Sequence, residues 1–154
     1  MRNKVLIMKK SLLSIISVIL IICLFSSCGG ERITDVISTA ETVLINGEEV
    51  DTVEASMGAF QGKQGDYIEF RFPEEQTFNT VFISEKSTTV RQFNIFAEVD
   101  GRFKLIYTSK LIVNENIQVE ETTATALKVQ IVNTEIGKDN FIIQGISAYN
   151  LEEK

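Results

Sequence analysis

The stretch from Phe93 to Tyr107 limits what this chain can fold into. Phe93, Ile95, Ala97 and Val99 alternate, so they share one face of a strand. Phe103, Leu105 and Tyr107 repeat that period on the return, after Asp100-Gly101. Asp-Gly between two apolar runs signals a tight hairpin, because Gly accepts positive φ without a Cβ clash. A hairpin this apolar is not stable alone in water, so the flanking segments must supply strands that cover it.

Those segments read as strands. Ile68, Phe70 and Phe72 alternate with Tyr67, Glu69 and Arg71, and Pro73 is expected to end that strand because it cannot donate to a ladder. Further strands are expected at Phe78–Ser84, Ile117–Glu121, Ala126–Asn133 and Phe141–Tyr149, where Gly145 suggests a bulge or close packing. The segment from Ile33 to Ile45 reads as short strands at Val36-Ile37 and Val43–Ile45, with a short helix from Asp35 to Leu44 as the competitor. Asn46 to Thr52 is a polar turn, and Ala55 to Gly65, with three glycines, reads as a long loop. Frequent turns and no long helical period imply an all-β, antiparallel sandwich of about eight strands over residues 33–154.

The N-terminus is a different segment. Four of the 15 basic residues (Arg2, Lys4, Lys9, Lys10) and none of the 21 acidic ones fall in the first 27 positions. An apolar run from Leu12 to Phe25 follows, shorter than a membrane span needs. This is the pattern of a secretory signal over residues 1–27, with Met8 as an alternative start. Residues 28–32 then form a short linker beginning at Cys28, which would be the first residue of the mature chain. What remains is more acidic than the formal −6 of the whole chain, which argues against nucleic acid as a partner. There is no His, so the usual neutral-pH base, the commonest metal ligand and any Ser-His or Cys-His pair are excluded.

Leu24-Phe25-Ser26-Ser27-Cys28 resembles a bacterial lipobox. The resemblance implies lipid on the Cys28 sulfur and amine, attachment to a membrane through that anchor, and a place in the bacterial cell envelope, at the outer membrane or cell surface. Each buried CH₂ of such chains contributes about 0.8 kcal/mol.

From about Gly65 to Asn150 the order of features resembles the discoidin-like family, also called F5/8 type C or galactose-binding-like, and the C-terminal sandwich of α-L-fucosidases. The resemblance rests on Asp66–Phe70, on Phe78–Glu85 followed by Gln92–Glu98, on Asp100–Ile106 with Phe103 where the family has Trp, on Thr123–Ile131 and on Ile142–Tyr149. It implies a jelly-roll sandwich whose loops at one end bind a glycan, with no enzymatic activity of its own.

The sugar-gripping residues of the family would fall around Glu85 to Arg91, where Glu85, Lys86 and Arg91 stand. With Asn140, Phe141 and Phe60 these could offer the charged, amide and aromatic groups that a hydroxyl-rich ligand needs. The alternatives are that Glu85 and Arg91 are rim charges or a mutual pair, and that Phe60 and Phe141 are core. For structural calcium the family's first-loop aspartate is Asn46 here, its closing Glu falls near Gly145, and Asp51 is the nearby acid. The turn around them lacks the ladder of an EF-hand loop, so a solvated acidic turn is the competing reading.

The leading expectation is a non-catalytic surface lipoprotein that binds carbohydrate. The alternative is a structural or protein-binding envelope lipoprotein without a sugar ligand. A glycoside hydrolase would need two carboxyls roughly 5 to 9.5 Å apart across an enclosed cleft, for which a chain this short leaves little room.

Overall fold

A computed structural model describes residues 33–86 and 88–151. Alternating side chains carry most of them into eight strands: β1 (Thr42–Ile45), β2 (Glu48–Glu49), β3 (Phe60–Lys63), β4 (Tyr67–Glu85), β5 (Val90–Val99), β6 (Arg102–Ser109), β7 (Asn116–Thr134) and β8 (Asn140–Tyr149). A 3₁₀ turn (Val36–Thr39) and one helical turn, α1 (Val53–Ser56), complete the elements. All strand pairings are antiparallel.

β4 and β7 pair along most of their length. Their first-and-last halves, Tyr67–Arg71 against Ala126–Gln130, lie in a sheet ordered β2-β1-β4-β7-β5-β6. Their other halves join β8 and β3, with β4 against β8 and β8 against β3. The two parts enclose the core, where Ile68, Phe70, Phe78, Val81, Phe93, Ile95, Leu127, Val129 and Ile131 are fully buried. The fold is an antiparallel β-sandwich.

The expected end of a strand at Pro73 is corrected. The strand continues, but its register with β7 jumps between Arg71 and Gln76. Pro73 lies in that unpaired stretch, so its missing N–H costs no ladder bond. The two strands expected at Ile117–Glu121 and Ala126–Asn133 are one strand, β7, bent opposite the same irregularity. The long loop expected from Ala55 to Gly65 contains the end of α1 and strand β3, which pairs with β8 through Phe60↔Ile143 to Lys63↔Asn140. Val36-Ile37 is a 3₁₀ turn and not a strand. Asp35 Oδ1 accepts from Ile37 N (3.1 Å) and from Ala148 N (3.0 Å), fixing the turn to β8.

The central hairpin forms as expected, with Asp100 and Gly101 at φ 54° and 70°, the two positive values of a type I′ turn. Its return strand differs. Ile95 faces Tyr107 but Phe96 faces Leu105, so a bulge takes up Ile106. A bulge reverses the side-chain alternation. Tyr107 therefore packs near Phe93, with ring centroids 6.0 Å apart, while Phe103 and Leu105 share the outer face with Phe96 and Glu98.

Gly58 has φ +77°, and a Cβ there would come within 2.5 Å of the Ile146 backbone nitrogen. Gly65 has φ +95° with open space around it. Gly58→Ala is expected to lower stability by about 3 kcal/mol or more, and Gly65→Ala by about 1 kcal/mol. Urea unfolding of both variants checks this ordering.

Candidate functional site

Three connections meet at one end of the sandwich: 64–66 between β3 and β4, the β4–β5 connection with Lys86, Thr88 and Thr89 described, and 135–139 between β7 and β8. Backbone bonds tie two of them to each other and reach from these connections to β7 and β8. Gly65 N donates to Ile131 O (2.7 Å), Glu135 N to Thr89 O (2.8 Å), and Lys86 N to Ile142 O (3.0 Å). The first turn closes on itself, since Asp66 Oδ2 accepts from Lys63 N at 2.7 Å. A Cβ on Gly62 would displace the Asp66 carboxylate and crowd the Phe141 ring.

Glu85 is a structural residue of this end. It is 4% exposed. Its Oε1 accepts from Thr89 N, Thr89 Oγ1 (3.0 Å) and Val90 N (3.0 Å), so one carboxylate oxygen shapes the loop that follows. Its own N–H donates to Asn114 Oδ1 at 2.9 Å, bringing in the β6–β7 connection. Arg91 is also engaged. Nη1 donates to Thr88 O (2.7 Å) and Val90 O (3.1 Å), and Nη2 pairs with Glu135 Oε2 at 2.6 Å. Lys138 Nζ reaches the same Glu135 oxygen at 3.3 Å. Glu85 and Arg91 are thus neither a mutual pair nor free rim charges.

Phe60 and Phe141 are core. Both are buried, edge to face, with centroids 5.1 Å apart and planes at 74°. Neither offers a ring face to a ligand, and the core alternative holds for both. Lys86 and Asn140 are exposed. Asn140 borders a shallow cleft of about 470 Å³ with Gln61, Lys63, Asp66 and Ile142. Lys63, Asp66, Glu135 and Lys138 are absent from the sequence-derived set. Only the flanking glycines 62, 65 and 137 signalled that these were turn positions.

Asn46 holds the β1–β2 turn. It has φ 54°, its Oδ1 accepts from Tyr67 N at 2.9 Å, and its N–H donates to Tyr67 O at 3.1 Å. Asp51 is exposed. Among the described residues no three His, Cys, Asp or Glu side chains are grouped to hold a metal ion. The side chains present do not fit a carboxylate calcium cage. Cys28 and the segment before it lie outside the described residues.

No family model matches the chain, and no curated protein is similar to it. Solved structures are. A GH29 fucosidase from Ruminococcus gnavus, in complex with fucose, matches at TM-score 0.59 and 19% identity over 78% of this chain and 27% of that one. Chitosan-binding module 1 from a chitosanase/glucanase of Paenibacillus sp. IK-5 matches at TM-score 0.59 and 15% identity, over 76% of this chain and 99% of that one. The CBM32 of AlyQ, in complex with 4,5-unsaturated mannuronic acid, matches at TM-score 0.55 and 14% identity, over 73% and 96%. The chain spans 18% to 29% of the length of the fucosidase structures it matches. The chain shares the β-sandwich fold of these modules.

Because Glu85 satisfies buried backbone donors and Arg91 is a part-exposed pair, their removal should differ in cost. Glu85→Ala is expected to destabilise by about 2 to 4 kcal/mol, and Arg91→Ala by about 1 kcal/mol or less. Thermal unfolding of the two variants is the check.

Proposed function

We propose that this protein is a non-catalytic carbohydrate-binding module on a lipid-anchored protein of the bacterial envelope. One observation carries the reading. The similarity extends over nearly the whole length of carbohydrate-binding modules, 99% and 96%, but over only 27% of a fucosidase. The unit shared by all of them is a sandwich of this size. Fold alone does not assign function, so the site supplies the rest. Lys63, Asp66 and Asn140 place amine, carboxylate and amide groups around one open cleft. Such groups suit hydroxyl recognition. Glu85 and Arg91 hold the neighbouring β4–β5 and β7–β8 connections.

A protein partner is the second reading. Ile136 is fully exposed at the loop end, and Leu111 and Val113 are exposed on the β6–β7 connection. Exposed apolar groups of this kind fit an interface.

A glycan array, run with and without calcium, tests the first reading. Binding to one sugar class is expected, weakened about five- to tenfold by Lys63→Ala or Asn140→Ala with the melting temperature unchanged. A blank array from folded protein favours the protein-binding reading. The anchor is tested separately, by labelling cells with a fatty acid. Incorporation into the wild type and its loss in Cys28→Ser are expected, and label retained in Cys28→Ser would contradict the anchor.

A further inference from the structure

The solvent-facing side of the larger sheet is unusual for an antiparallel sheet, where polar residues ordinarily stand outward. Register defines it row by row. Leu44, Glu69, Lys128, Phe96 and Leu105 lie side by side across β1, β4, β7, β5 and β6. Arg71, Ala126, Glu98 and Phe103 form the next row. Tyr67, Gln130, Asn94 and Thr108 form the row on the other side. The inward neighbours Ile68, Phe70, Ile95, Ala97, Leu127 and Val129 already complete the core, so the rings on this face are surplus to it.

Lys128 Nζ sits 3.8 Å from the Phe103 ring centroid, 5.0 Å from Phe96 and 5.4 Å from Tyr67. All three rings are half-buried, so each keeps some accessible surface. The charges beside them are locked. Arg71 pairs with Glu69 at 2.6 Å and reaches over the small Ala126 to Glu98 at 3.3 Å. Thr125 Oγ1 also donates to Glu98 Oε2 at 3.1 Å. This explains why Glu69 is only 6% exposed and Ala126 is fully covered on an outward face.

We infer that this face is a second glycan-contact surface, which takes a neutral polysaccharide chain. The inference rests on the carbohydrate-binding reading above. Within these three rows two cations and two anions sum to zero: Arg71 is bonded to both acids and Lys128 is stacked against the three rings, so net charge there favours neither an acidic nor a cationic sugar. The apolar C–H faces of neutral sugars fit the rim of Phe103, Phe96 and Tyr67. The amides of Asn94 and Gln130 and the Tyr67 hydroxyl stand in the adjoining row to meet sugar hydroxyls. Fixed rings lose little entropy on binding.

The test is a backbone-amide NMR titration with laminarihexaose, xylohexaose and mannohexaose, with glucosamine and alginate hexamers as charged comparators. At least one neutral hexamer should shift the amides of Phe96, Phe103 and Lys128. Phe103→Ala should weaken that binding at least tenfold with unchanged thermal stability, and Phe103→Tyr should retain it. Shifts confined to Lys63–Asp66 and Asn140, binding only of charged hexamers, or unchanged affinity in Phe103→Ala would overturn the second surface and leave the carbohydrate reading standing. If no hexamer, neutral or charged, shifts any amide, both fall.

Discussion

The antiparallel ladder between β4 and β7 is the interaction on which everything else depends. These strands, each of 19 residues, belong to both layers of the sandwich. One end of the pair takes β1 and β5 as neighbours, and the other end of β4 takes β8. The register jump between Arg71 and Gln76 lets the pair turn from one layer to the other without a break in the chain. Inward residues on both sides of the jump, among them Phe70, Phe78, Val81 and Leu127, are fully buried. Phe→Ala at such a site costs about 3 to 5 kcal/mol, so the layers stand or fall together.

The ladder also sets where chemistry can occur. It leaves three connections at one end: Asp66 closes the β3–β4 turn, while Glu85 and the Arg91–Glu135 pair hold the β4–β5 and β7–β8 connections. It also leaves a broad outer face, on which β4, β5 and β6 each place an aromatic ring close to Lys128 of β7. The groups on both are held by backbone and by one another, which suits recognition without rearrangement.

Much of this order was legible in the residues. Asp100-Gly101 and the alternations around it located the central hairpin, and the alternation from Tyr67 onward located the sheet. What was not legible is non-local. Pro73 read as a terminator because its unpaired position depends on a bend shared with β7. The outward phase of Phe103 and Leu105 depends on a bulge that appears only when β6 is laid against β5. Arg91 read as a ligand group because its partner, Glu135, is 44 residues away. For Phe60 and Phe141 the core and platform readings both stood open, with core favoured for Phe60, and the pairing of β3 with β8 buries both rings. The resemblance to discoidin-like domains pointed to the Glu85–Arg91 stretch, where Glu85 and Arg91 bond to the loop backbone and to Glu135.

Binding of carbohydrate without turnover is the central claim. Equilibrium depletion from solution by washed insoluble polysaccharides, with the supernatant assayed for released sugar, tests it most directly. Saturable depletion by at least one polysaccharide, with no sugar released, is the expected result. Release of sugar, or no depletion by any polysaccharide from a protein that remains folded, would contradict it.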